Sequence, residues 1–133
     1  MTLKASKAEY LMQCRQALAK EQSASLSETD NWSHVDKQQV HVDWDILYKE
    51  IEPLITGTSP SSREVQSLME RHYAIAKRFY SPTKEAYIGM ALFYRENPDM
   101  EKFHNSYHPN MVDFLGEAIF VYANKNLSST LST

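Results

Sequence analysis

A chain of 133 residues, 42% apolar and 23% charged, can bury one core and is too short for two ordinary domains. Its net charge of -3 gives no basic field for nucleic acid, and its single cysteine, Cys14, excludes an internal disulfide. No apolar run approaches the ~20 residues of a membrane span, and the polar start through Lys4 lacks a signal-peptide core, so the expectation is a small cytoplasmic protein.

Only three glycines and five prolines punctuate the chain, and strand alternation is absent, which predicts an all-α, single small domain over 1–133. Ser6 and Glu9 have capping-box spacing and predict a first helix with Tyr10 or Leu11, Cys14, Ala17 and Leu18 on one side. The serine-rich segment 22–31 reads as a flexible loop. A second helix, from 35 or 42 to 52, carries Trp44, Leu47, Tyr48 and Ile51 as its apolar stripe, and Pro53 is expected to interrupt it. Ser61 and Glu64 predict another capping box, before a helix that buries Val65, Leu68, Met69, His72, Ile75, Ala76 and Phe79. Pro82 and Thr83 open a helix over 84–96, Asn97-Pro98 a short one through Phe103, and His108-Pro109 a last one to about Asn124. The polar residues 126–133 are expected to fray.

Candidate chemistry is sparse. His104 and His108 are four apart, but Pro109 places His108 in a turn, and a lone Glu101/His104 pair is half of what a di-iron bundle needs. Cys14 lies on an apolar helix face without a histidine placed beside it by any motif, and no carboxylate falls inside an apolar run that would raise its pKa. The residues therefore argue against an enzyme and against a bound metal or cofactor.

The aromatic residues carry more information. Residues 86–94 hold no charged face, so that helix is either buried on all sides or lines a cavity. Tyr80, Tyr87, Tyr94, Tyr107, Trp44, Phe93 and Phe114 bring more rings and hydroxyls than an aliphatic core requires. Ala91 leaves space between Tyr87 and Tyr94, and His72 is either a satisfied core histidine or a polar group facing a ligand. Spacing alone leaves core and cavity both open.

At these residues the chain resembles the TipAS antibiotic-recognition domain, the effector-binding part of some MerR-type drug-responsive activators. The likeness runs through His72, Ile75 and Tyr80, then Thr83, Glu85, Tyr87, Gly89, Met90, Ala91 and Tyr94, then Phe103, Tyr107, Pro109, Phe114, Leu115, Ala118 and Ile119. Upstream, Asp43, Trp44, Leu47, Glu50 and Leu54 look like the family's acidic-Trp helix. The resemblance implies a globin-like arrangement of about five to seven helices without a haem requirement, and a drug cleft lined by Trp44, His72, Tyr80, Tyr87, Met90, Tyr94, Tyr107 and Phe114. Two departures matter. The family's thiopeptide binders use a cysteine in the stretch matching 81–90, where this chain has none. The family's usual helix-turn-helix and coiled coil are also absent. The resemblance thus implies a non-covalent, drug-sensing or sequestering protein, working alone or with a separate DNA-binding partner. A haem or metal site at His72, and a groove for a partner helix, are the alternatives.

Overall fold

The structure is a computed structural model, and it describes residues 2–129. Six helices account for the described chain, without a strand among these residues: α1 (Ala8–Glu28), α2 (Lys37–Ile55), α3 (Arg63–Ala76), α4 (Lys84–Glu96), α5 (Pro98–Asn105) and α6 (Met111–Asn126). The all-α expectation holds, with a helix number inside the expected range. None of the helices is long and apolar enough to cross a membrane.

The apolar helix α4 lies at the centre, packed most extensively on α1, then on α6 and α5, while α2 pairs with α3 and α3 leans on α6. This explains its missing charged face, since Ala86, Tyr87, Ile88, Gly89, Ala91 and Leu92 are all buried. Two glycines permit the close crossings. A methyl group on Gly89 would stand 2.4 Å from the Cys14 carbonyl oxygen of α1, and one on Gly116 would meet Leu3 Cδ2 at 3.2 Å and Ala91 Cβ at 3.9 Å. Small Ala91 is therefore buried at the α6 crossing.

Several boundaries differ from the sequence expectation. The segment 22–31, expected to be a flexible loop, is helical over most of its length, because α1 continues through Glu28 and only residues 29–31 form a turn. Tertiary contacts outweigh its weak helix propensity: buried Ser25 accepts from the Trp32 indole N–H at 2.8 Å, and Glu21 accepts from Thr83 N at 3.2 Å. Ser6 does not cap α1; its hydroxyl donates to Thr2 O, and Lys7 occupies the N-cap without a side-chain bond. Pro53 lies inside α2, close enough to its end that only one backbone bond is lost, and Leu54 and Ile55 still reach the core. Ser62, one residue after the expected serine, caps α3 through Val65 N. α6 begins at Met111 rather than at Pro109, and Asn105 at the end of α5 supplies a cap by accepting from Val112 N at 2.9 Å.

The two ends of the described chain are tied down. Glu117 accepts from Leu3 N at 2.8 Å and Lys4 N at 3.2 Å, which seats Leu3 against Gly116. Replacing Glu117 with alanine is expected to lower stability by about 1 kcal/mol, the worth of such hydrogen bonds at a half-buried site, with an unchanged urea slope. Fraying was expected for 126–133, yet Asn126 is the last residue of α6, Ser128 O accepts from Lys84 N at 3.0 Å, and the Ser129 hydroxyl donates to Glu85 at 3.0 Å. Residues 130–133 lie outside the described residues.

Candidate ligand-binding cleft

The site starts with α2. Its spacing puts Trp44 and Tyr48 one turn apart, so their rings stack at 5.9 Å and 8° between planes. α3 brings His72 beneath them, with its ring 4.5 Å from Trp44 and 6.2 Å from Tyr48. On α4, Met90, Phe93 and Tyr94 share the face turned toward α2, and Tyr94 packs on the His104 ring of α5 at 4.3 Å. Two apolar hollows result, and Trp44 and Tyr94 line both.

The first lobe, about 180 Å³, is closed by Leu18 and Gln22 of α1, Trp32, Ala76 of α3, and Phe79, Tyr80 and Pro82 from the connection to α4. The second, also about 180 Å³, is bounded by His41 and Tyr48 of α2 and by Met100, Phe103 and His104 of α5. Trp32 is held in the first by an edge-to-face contact with Phe79 at 4.9 Å and by its bond to Ser25. It sits in a run of three left-handed residues, Asp30, Asn31 and Trp32, with φ of 51°, 58° and 62°. For a bulky residue this conformation is costly and persists only where the surroundings impose it.

Two buried histidines stand at the cleft, His104 in the wall of the second lobe and His72 behind the wall, both uncharged at neutral pH. His72 is fully buried and its Nδ1 pairs with the Tyr87 hydroxyl at 2.7 Å. Desolvation, with the neighbouring His104 as a smaller contribution, lowers its pKa to about 3. Its Nε2 has no partner among the described residues. His104 Nδ1 lies 2.7 Å from the Met100 carbonyl, which can only accept, so the proton is on Nδ1 and the Tyr48 hydroxyl donates to Nε2 at 3.0 Å. Burial lowers the His104 pKa as well, partly offset by that carbonyl. Burial also pushes the Tyr48, Tyr87 and Tyr94 phenols upward, so these hydroxyls stay neutral.

The structure brings together four of the eight residues proposed from sequence: Trp44, Tyr80, Met90 and Tyr94 line the first lobe. His72 and Tyr87 lie behind the wall and are fully buried core, a pair already bonded to each other. Tyr107 packs on Tyr48 at 5.4 Å but directs its hydroxyl to Asp45 at 2.6 Å, outside both lobes. Phe114 is far from them, buried beside an open surface depression with Ile55 and Glu117, because α6 turns its cleft-side face toward α4 with smaller residues. Sequence reasoning missed Trp32, Phe79 and Pro82 in the first lobe and Tyr48, Met100 and His104 in the second. A lone tryptophan at the end of a polar stretch was the available signal for Trp32.

Residues 10–122 match the family model of the TipAS antibiotic-recognition domain. The chain belongs to the TipAS family. It is similar to the HTH-type transcriptional regulator SkgA of Caulobacter vibrioides, in strains NA1000 / CB15N and ATCC 19089 / CIP 103742 / CB 15, each 26% identical over 95 residues. That match covers 70% of this TipAS chain and 36% of the regulator, so the chain spans about a third of the length of these relatives. No solved structure matches it significantly. The matched span takes in all of the lining residues, from Leu18 and Trp32 to His104. TipAS is a family of ligand-binding regulatory domains rather than of enzymes, and Cys14 fits that frame: it is fully buried between α1 and α4, with its thiol pushed up to about 11 by desolvation.

Proposed function

We propose that this chain binds an antibiotic or other amphipathic aromatic small molecule, without a covalent bond, in the cleft between α2, α4 and α5. The reading rests on one observation above all: a TipAS chain carries an apolar, ring-walled hollow at Trp44 and Tyr94. Such hollows take most of their affinity from apolar burial and their orientation from a few polar groups. The likeness to an HTH-type regulator supports a sensor role, with DNA contact made by a separate partner or segment; sequestration by the domain itself is the other use of the same site. Capture through Cys14 draws no support, since the thiol is sealed away from both lobes. A haem bound through His72 would need the space filled by Trp44, Tyr48 and Tyr87, and the described residues gather no cluster of three or more metal-ligating side chains.

A thermal-shift screen across antibiotic classes tests this reading. A ligand at 100 times its Kd adds ~2.7 kcal/mol to native stability, which moves Tm by several degrees. No shift from any class would remove the proposal. For a hit, Trp44→Ala or Tyr94→Ala is expected to weaken binding about tenfold while the fold survives, because each ring is only partly buried. Tyr87→Phe, behind the wall, is expected to leave Kd within about twofold in titration calorimetry. Tyr87→Ala is no longer a useful binding test, since a fully buried ring deleted from the core costs ~3–5 kcal/mol.

A further inference from the structure

The two lobes share two walls and differ in everything else. Trp44 and Tyr94 face both, and His72 lies under that boundary, 4.5 Å from the first ring and 6.3 Å from the second. Each lobe measures about 180 Å³. A cavity of ~150 Å³ lined by apolar side chains takes one benzene, so each lobe suits a single ring system. Drug-sized pockets begin at ~300 Å³, which neither lobe reaches alone and the pair does.

The walls also define charge. The residues lining the two lobes include no lysine, arginine, aspartate or glutamate. A charged group buried there would lose its hydration without gaining a counter-ion. The two buried polar atoms without a partner among the described residues, the Tyr80 hydroxyl and Nε2 of His72, have no surface on either lobe and place no polar demand on an occupant.

We infer that the cleft is a single, two-chambered site for an elongated, uncharged molecule that carries one planar apolar group per lobe, joined by a narrow uncharged link crossing between Trp44 and Tyr94. The inference rests on the ligand-binding reading above and deepens it. An amide or ether link is both uncharged and slim.

The test uses N-benzyl-4-hydroxybenzamide and its halves, 4-hydroxy-N-methylbenzamide and N-benzylacetamide, titrated by calorimetry and tryptophan fluorescence on the full chain. The joined compound is expected to bind at least about tenfold tighter than either half, with one molecule per chain. Met90→Trp and Met100→Trp, chosen to fill the first and second lobes, are each expected to reduce the joined compound to the affinity of a single half. Retained thermal unfolding of both variants, at a Tm near that of the parent, is part of the expected result. If a half binds but joining adds nothing, or if only one of the two filling variants has an effect, the site has a single chamber; the inference then falls while the ligand-binding reading stands. Absence of binding by all three compounds up to their solubility limits overturns the inference, while the ligand-binding reading is decided by the screen across antibiotic classes.

Discussion

Replacing Gly89 with alanine is expected to destabilise the protein by about 2 kcal/mol, seen as a fall of ~5–10 °C in Tm. In an isolated helix the same change would be favourable by ~1 kcal/mol, because glycine is the poorer helix former. Here the added methyl would lie 2.4 Å from the Cys14 carbonyl oxygen and 2.9 Å from Leu18 Cβ. Neither atom is the free end of a flexible side chain, so the whole of α1 must move to relieve the contact. The displacement also reaches the cleft, because Leu18 lines the first lobe and Glu21 and Ser25 of the same helix hold Thr83 and Trp32. Gly89→Ala should therefore weaken ligand binding as well, although Gly89 touches neither lobe. An alanine variant more stable than the parent would show that α1 and α4 are not in backbone contact at this point. The contrast at Gly57 is instructive: its φ of 99° needs glycine, yet nothing lies within 4 Å of an added methyl, so any loss there is conformational and leaves the cleft alone.

The legible parts of this fold were those written in local periodicity. The apolar stripe of α2, the Asn97-Pro98 start of α5 and the uncharged face of α4 each follow from short spacings that the structure repeats. What escaped was set by contacts distant in sequence. Serines 23, 25 and 27 look like a linker, but Ser25 is buried under Trp32 and Glu21 is bonded to Thr83, sixty-two residues on, so the helix persists. The same holds for the site. Trp44, Tyr80, Met90 and Tyr94 were candidates through the family resemblance, and they line the first lobe. His72 and Tyr87 share their composition and spacing, yet face inward, because α4 is covered on the α1 and α6 sides and only its Met90–Tyr94 edge is left to the cleft. Periodicity reports which face of a helix is apolar. It does not report whether a neighbour covers that face completely, which is the difference between core and cavity here.

Mild acid is expected to destabilise the protein well before its carboxylates titrate, with His72 responsible for most of the loss. In the unfolded chain this imidazole has its ordinary pKa near 6.5, whereas in the native core the value is about 3. Above pH 6.5 both states hold it neutral, and it has no effect on the pH dependence. Between 6.5 and 3 the unfolded chain takes up a proton that the native protein refuses, so unfolding gains ~1.4 kcal/mol per pH unit. By pH 4.5 the loss reaches about 3 kcal/mol, a large fraction of the 5–15 kcal/mol typical of a whole domain. His104, also lowered by burial, adds to the loss in the same direction. The carboxylates held low by arginine partners or hydrogen bonds, Asp43, Asp45, Glu50 and Glu96, contribute only below their ordinary range near 4, which separates the two windows. Urea midpoints measured from pH 7.5 to 4.5 would display the slope. His72→Gln is expected to start from a lower stability, having lost a packed ring, but to flatten that slope by about one proton. A variant that kept the parent's full slope would mean that His72 is solvated or already protonated in the native protein. The unpaired Nε2 would then be facing water rather than sealed in the core behind the cleft wall.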